Sequence, residues 1–457
     1  MARLRALTGD SQISYAKLVA DTHNALGFGM LGRRREKVAR WETQGVPPDR
    51  NTQLAIAHIH QVPWEEVESL GWPGWLRLGT AAPPRAARSR TPRTNALALP
   101  SEEEQPGLRP GLPHLSVSGK AVPLLVQQIL ATLANPSLSR PSTRDGRCVT
   151  PDTVALIETR AESLHALLST TNPVDLYHVV RTELNLVIEL LARTNCDRST
   201  RRRLLLVASR SATLCAVITG TLGEINRAEQ YRLTATRAAA SANSRLRACV
   251  CLADLALSHI EAGDPADAFS LISAARATLP DPPPSVQALL YAREARAHGR
   301  RGQLLASRRA MDNASDAMTR SSNKEPLLHR TIDETWLSTT LARVWLDLRQ
   351  PKLALEQLAP LLEDNATPHS FTQPPLLIAR ALLDAVDAQL TLGDVESAIR
   401  TAIRCTELFG KMPTGLCHQY RRRFLPHLEV PAVRDLFDHW SATGEQAAFD
   451  SLPSALS

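Results

Sequence analysis

The chain has 457 residues, a formal charge of +7, 43% hydrophobic residues and 22% charged residues. That length exceeds one ordinary core and predicts two or three domains or a repeat array, and the composition excludes a wholly disordered or collagen-like chain. No uncharged apolar run approaches the ~18–20 residues of a bilayer span, the longest candidate being 211–223.

The N-terminal "MARLRALTGD" has no apolar core of a secretory leader. Seven scattered cysteines, an odd number, fit reduced thiols in a cytoplasmic protein better than a disulfide framework. Residues 1–95 carry 14 Lys/Arg against 8 Asp/Glu, while the rest carries 39 against 38, so nearly all the excess charge is N-terminal. A basic segment on a neutral body is the footprint of a polyanion-binding module; a basic arm with no specific partner is the alternative. Only 6 of the 53 basic residues are lysine, a coding bias that discounts arginine clusters.

Residues 1–78 read as a small helical domain. The spacing predicts helices over 14–26, 31–43, 52–60 and 63–70. In the second, Leu31, Val38 and Trp41 form a buried stripe, with Gly45 just past its end. Trp41, Trp64, Trp72 and Trp75 supply the bulk that a small core needs. Between the first two helices, "GFGMLG" (27–32) matches G-x-G-x-x-G, a spacing that cradles pyrophosphate only between a strand and a helix. The preceding "SYAKLVADTHNAL" is helical by period, so the match fails, and the glycines serve a turn between helices. Beyond the turn, Arg33, Lys37 and Arg40 at i, i+4 and i+7 lie along one face of the second helix, with Arg34 and Arg35 beside them. Such a helix offers cations to bases or phosphates; a solvated charged face is the commoner alternative.

Residues 79–120 combine seven prolines with Arg, Ser, Thr and Glu, and read as a flexible linker. From 121 to 445 the pattern is helical, with a helix over 122–134 and a long helix opening at Thr150-Pro151-Asp152, a cap, a proline and an acid in order. Residues 446–457 read as a tail. "LGEINRAEQYRLTA" (222–235), "AGDPADAFSLISAA" (262–275), "RGQLLASRRAMDNA" (301–314), "LRQPKLALEQLAPL" (348–361) and "LGDVESAIRTAIRC" (392–405) share one frame. Each has a turn and then a small residue five positions on: Ala228, Ala268, Ser307, Ala354 and Ala398, spaced by 40, 39, 47 and 44. A small residue lets two helices cross closely, so this is a repeated helix-turn-helix hairpin.

These frames resemble tetratricopeptide repeats, although their spacing exceeds the usual ~34 residues. "VARWETQGVPPD", the Leu54-Ala55 pair and "LGWPGWL" resemble the helix-turn-helix domain of actinobacterial regulators of the XRE (Cro/repressor) class, some of which carry such repeats. The streptomycete negative regulators of sporulation and antibiotic production are one group of these. The resemblance implies an all-α fold: a helix-turn-helix head over 1–78, a linker, and an α-solenoid over 121–445. It also implies a transcriptional regulator acting as a homodimer. Arg33, Arg34, Arg35, Lys37 and Arg40 would contact duplex DNA, with Arg3 and Arg5 in an N-terminal arm. The alternative is a protein-interaction scaffold whose head no longer binds DNA. On the concave wall of the array, the small-residue frame places Arg210, Arg296, Trp336, Thr339, Arg343, Arg380 and Asp387. Four arginines and a Trp there suit an anionic or carboxylate-bearing ligand such as a peptide end. No catalytic motif, metal-ligand spacing or cofactor loop is evident; Cys417, His418 and His427 make no four-donor set.

Overall fold

The computed structural model describes residues 5, 11–25, 28–43, 46–60, 62, 67, 70–76, 115–135, 149–169, 171, 173–193, 196–320, 332–363, 373–409 and 413–440. The chain divides into two compact units, 1–94 and 95–457. Every described regular element is a helix.

In the first unit, α1 (Gln12–Ala25), α2 (Arg35–Thr43) and α3 (Arg50–Ile59) enclose a core built on Tyr15, Val19, Val38, Leu54, Ile56 and Trp75. The Tyr15 hydroxyl and a His60 ring nitrogen share a buried 2.7 Å hydrogen bond, and the Trp75 indole N–H donates to Gln53 Oε1 at 3.2 Å. Asp49 caps α3 by accepting from the Thr52 N–H at 2.9 Å and the Thr52 hydroxyl at 2.7 Å. The second helix starts four residues later than its spacing predicts, at Arg35. Leu31, Arg33 and Arg34 therefore precede it. Gly29, at φ +90°, turns the chain there, and its carbonyl is held 2.9 Å from His23 Nδ1. The helix expected over 63–70 falls largely outside the described residues.

The second unit opens with α4 (Ala121–Ala134), α5 (Pro151–Ala166) and α6 (Pro173–Arg193). The expected cap at Thr150 is present, its hydroxyl accepting from the Thr153 N–H. Five hairpins follow in which consecutive helices pack together: α7 (Arg198–Thr221) with α8 (Ile225–Ser241), α9 (Arg245–Ala262) with α10 (Pro265–Thr278), α11 (Pro284–Arg300) with α12 (Leu304–Thr319), α13 (Glu334–Asp347) with α14 (Pro351–Leu362), and α15 (Pro375–Thr391) with α16 (Val395–Phe409). α17 (Thr414–Phe424) and α18 (Pro431–Trp440) end the described chain. Ala228, Ala268, Ser307, Ala354 and Ala398 are all fully buried at the crossings, as the shared frame requires. Four of the five hairpin turns carry a left-handed residue, Gly223, Gly302 and Gly393 in three and Arg349 at φ +58° in the fourth hairpin, whereas the second turns through Gly263 in extended conformation.

The first helices of successive hairpins also pack side by side, α9 on α11, α11 on α13 and α13 on α15. The row curls until α7 meets α15. Gln419 of α17 locks that closure by donating to the Thr221 carbonyl at 2.7 Å. α7 is the one helix among the described residues with the length and hydropathy to cross a bilayer, and 78% of that apolar window is buried inside the protein. The apolar run over 211–223 is the second half of this core helix and the start of the turn after it.

The last residues of the Pro-rich stretch are held against the array rather than free of it. The Ser116 and Val117 N–H groups donate to Glu229 at 2.8 and 3.0 Å, and the Gly119 N–H donates to Asp267 at 2.7 Å. Beneath them lies His259, fully buried, with neither ring nitrogen hydrogen-bonded and Nδ1 3.6 Å from Asp267. Burial pushes this imidazole below its ordinary 6.5, against the pull of Asp267, Glu229 and Asp264. The unfolded chain therefore binds a proton near pH 6.5 that the folded chain refuses, and stability falls as pH drops below that value. Urea unfolding at pH 7.5 and 5.5 should show a loss of at most about 1.4 kcal/mol per pH unit from this residue. The loss should shrink in His259→Gln; an identical pH slope in the variant would exclude the histidine as its source.

Candidate functional site

Two groups of residues qualify, one in each unit. In the first, Arg34, Arg35 and Arg40 are exposed, and Lys37 is half-buried. No hydrogen-bond or ion-pair partner is described for the guanidiniums of Arg34, Arg35 and Arg40. Val38 of the same helix is fully buried and Trp41 packs against the core, so α2 is amphipathic in the expected sense. Two other expected DNA contacts are engaged within the unit. Arg33 pairs with Asp21 at 2.6 Å on the surface, and Arg5 pairs with Glu42 at 2.7 Å. Gln12 also donates to Glu42. Burial alone would raise this carboxyl, but Arg5 and Gln12 hold it below its ordinary value. Arg5 is thus part of the packing of α2 rather than an extended arm; Arg3 lies outside the described residues.

In the second unit, the row of hairpins curves round a chamber of about 150 Å³ that is half open to solvent. Of the seven residues expected on a concave wall, Arg296, Trp336, Thr339, Arg343 and Arg380 line it. Asp387 stands behind the wall, accepting two bonds from Arg423 at 2.6 and 3.1 Å. Arg210 does not reach the chamber. It lies two turns before Val217 on the same face of α7, where α5 covers that face, and it meets Glu162 at 3.5 Å.

Sequence reasoning missed Arg232, Arg293, Glu261 and Asp384, which also line the chamber. Their signal was present as charges recurring on otherwise apolar helices: Asp254 and Glu261 seven apart, Arg293 and Arg296 three apart, Arg380 and Asp384 four apart. Arg293 meets Asp254 at 3.2 Å, with both side chains buried. Arg296 meets Asp347 at 3.3 Å, and Arg343 donates to Asp384. Asp384 and the carboxylates around it hold the Arg343 guanidinium above its ordinary value, outweighing burial. Glu261 sits 3.8 Å from both Arg296 and Arg380. Burial would raise this carboxyl, yet Arg380, Arg296, Arg232 and Arg343 together bring it below its ordinary value. Glu261 is therefore ionised throughout the neutral range.

The other walls are apolar or hydroxylated. Trp336, Leu377 and Ile378 present carbon, and Thr339, Thr340 and Gln373 present donors and acceptors. Such a mixture is the ordinary chemistry of a small-molecule pocket. The buried cysteines of α9 are packing residues: burial pushes the Cys249 thiol up to about 12, leaving no thiolate there near neutrality. No protein-family model matches the chain, and no curated protein matches it in sequence.

Proposed function

We propose that the protein is a cytoplasmic, non-enzymatic transcriptional regulator of the XRE type. Its N-terminal unit is a helix-turn-helix head that binds duplex DNA through α2. Its C-terminal unit is a tetratricopeptide-like α-solenoid that senses a ligand or partner and supports dimerisation. The observation that carries this reading is the division of α2: Val38 and Trp41 face the core while Arg35 and Arg40, with Arg34 just before the helix, are exposed, their guanidiniums unpaired among the described residues. A helix so divided fits a major groove with its cations on bases or phosphates.

The test is a pull-down of genomic fragments by the full chain, wild type against Arg34→Ala/Arg35→Ala/Arg40→Ala. Sequence-specific enrichment by the wild type, lost in the variant, is the expected result. In anisotropy titrations of an enriched fragment, the slope of log K against log salt should fall by about 3 for three lost phosphate contacts. Enrichment that survives the triple substitution would remove α2 as the reading element.

One observation favours the second reading, an interaction scaffold with a silent head. The connector between α1 and α2 runs from 26 to 34, longer than the 3–4-residue turn of the usual motif. Absence of enrichment by either protein would support that reading.

A further inference from the structure

We propose that the chamber is a binding site for a small organic monoanion, a carboxylate carrying one flat or branched apolar group. This deepens the sensing role given to the hairpin array. It rests on the chamber alone, so it stands or falls separately from DNA binding.

The charge inventory sets the sign of the ligand. Asp254 answers Arg293, Asp347 answers Arg296, and Asp384 and Asp387 answer Arg343 and Arg423. Glu261 is shared, lying 3.8 Å from both Arg296 and Arg380 and within the field of Arg232. Among the described residues the network therefore carries one guanidinium more than it has carboxylates. The excess is best assigned to Arg380, whose contacts are all long: Gln419 Oε1 at 3.5 Å, Glu261 at 3.8 Å and Asp384 at 3.9 Å. A guanidinium in a partly enclosed site gains from a closer, bidentate carboxylate. Arg343 Nε adds a buried donor with no hydrogen-bond partner. An arginine cannot shed its proton to relieve such a site.

Size and wall chemistry set the rest. A chamber of about 150 Å³ matches a cavity that accepts one benzene ring. Trp336, Leu377 and Ile378 give the apolar group a surface. An extended peptide advances roughly 3.3 Å per residue along a long groove, whereas this pocket, half open to solvent and bounded on one side where α7 packs on α15, has room for only about 150 Å³. A small molecule therefore fits better than a peptide end.

The experiment is isothermal titration of the full chain with benzoate, phenylacetate and isovalerate. Benzamidine, benzyl alcohol and inorganic phosphate serve as controls at constant ionic strength. At least one monocarboxylate should bind saturably at one site per chain, and more tightly than every control. Arg380→Met, which keeps the stem and removes the charge, should weaken that binding about tenfold or more. Thr339→Phe, which fills the chamber without touching an ion pair, should abolish it. Circular dichroism establishes that each variant is folded, and either folded variant suffices. The proposal is overturned if no monocarboxylate binds, if benzamidine or phosphate binds as well as the carboxylates do, or if binding persists in the folded variants.

Discussion

Asp254→Ala is expected to lower the unfolding free energy of the C-terminal unit by about 3–5 kcal/mol. Asp254 and Arg293 are 3.2 Å apart with side chains only 8% and 4% exposed. They tie α9 to α11 in the middle of the array. Removing the carboxylate leaves a guanidinium that must stay charged in a poorly polarisable place. The cost is therefore that of a buried ion deprived of a close carboxylate rather than of one hydrogen bond. Two further variants separate these causes. Asp254→Asn keeps an acceptor and should cost less than the alanine. Asp254→Leu combined with Arg293→Met removes both charges and should recover most of the loss, because well-packed apolar groups replace a buried pair at little or no cost. Urea unfolding followed by circular dichroism reads all three. An alanine variant within 1 kcal/mol of wild type would mean that other groups satisfy Arg293.

Trp75→Ala is expected to cost the N-terminal unit about 3–5 kcal/mol. The indole is fully buried, packs edge-on to Trp72 at 5.9 Å, and gives its N–H to Gln53. A unit of this size has little stability in reserve, so the loss should unfold it at ambient temperature. Limited proteolysis should then cut freely within 12–59 while the helices over 198–424 remain protected. Any DNA binding should disappear with the head. Gln53→Ala loses one hydrogen bond and should cost only about 1 kcal/mol. A Trp75→Ala protein with a protease-resistant head would show that α1, α2 and α3 hold together without the indole.

Local rules made much of this architecture legible from the residues alone. Turn, small residue and apolar spacing identified all five hairpins, because a helix crossing leaves room for little more than a methyl or hydroxymethyl group. Ala228, Ala268, Ser307, Ala354 and Ala398 meet that condition wherever the array lies in space. The cap at Thr150 and the glycine turns are equally local. The start of α2 was misjudged because Leu31 and the arginines after it keep a helical spacing, while the chain is bent there by Gly29 and its tie to His23. Spacing placed Arg296, Trp336, Thr339, Arg343 and Arg380 on one wall, since the first helices of consecutive hairpins present the same face.

Only the tertiary structure decided that the wall curves round a half-open chamber. Closure depends on small rotations accumulated over five hairpins until α7 meets α15, and no single repeat encodes that sum. It also decided which charges are consumed. Arg5 is spent on Glu42, Arg33 on Asp21 and Arg210 on Glu162, whereas Arg380 is left with long contacts. In sequence these arginines are equivalent. The residues 37 and 48 positions away in two of those pairs, and 12 away in the third, distinguish them, because an ion pair is a property of distance in space and not of composition.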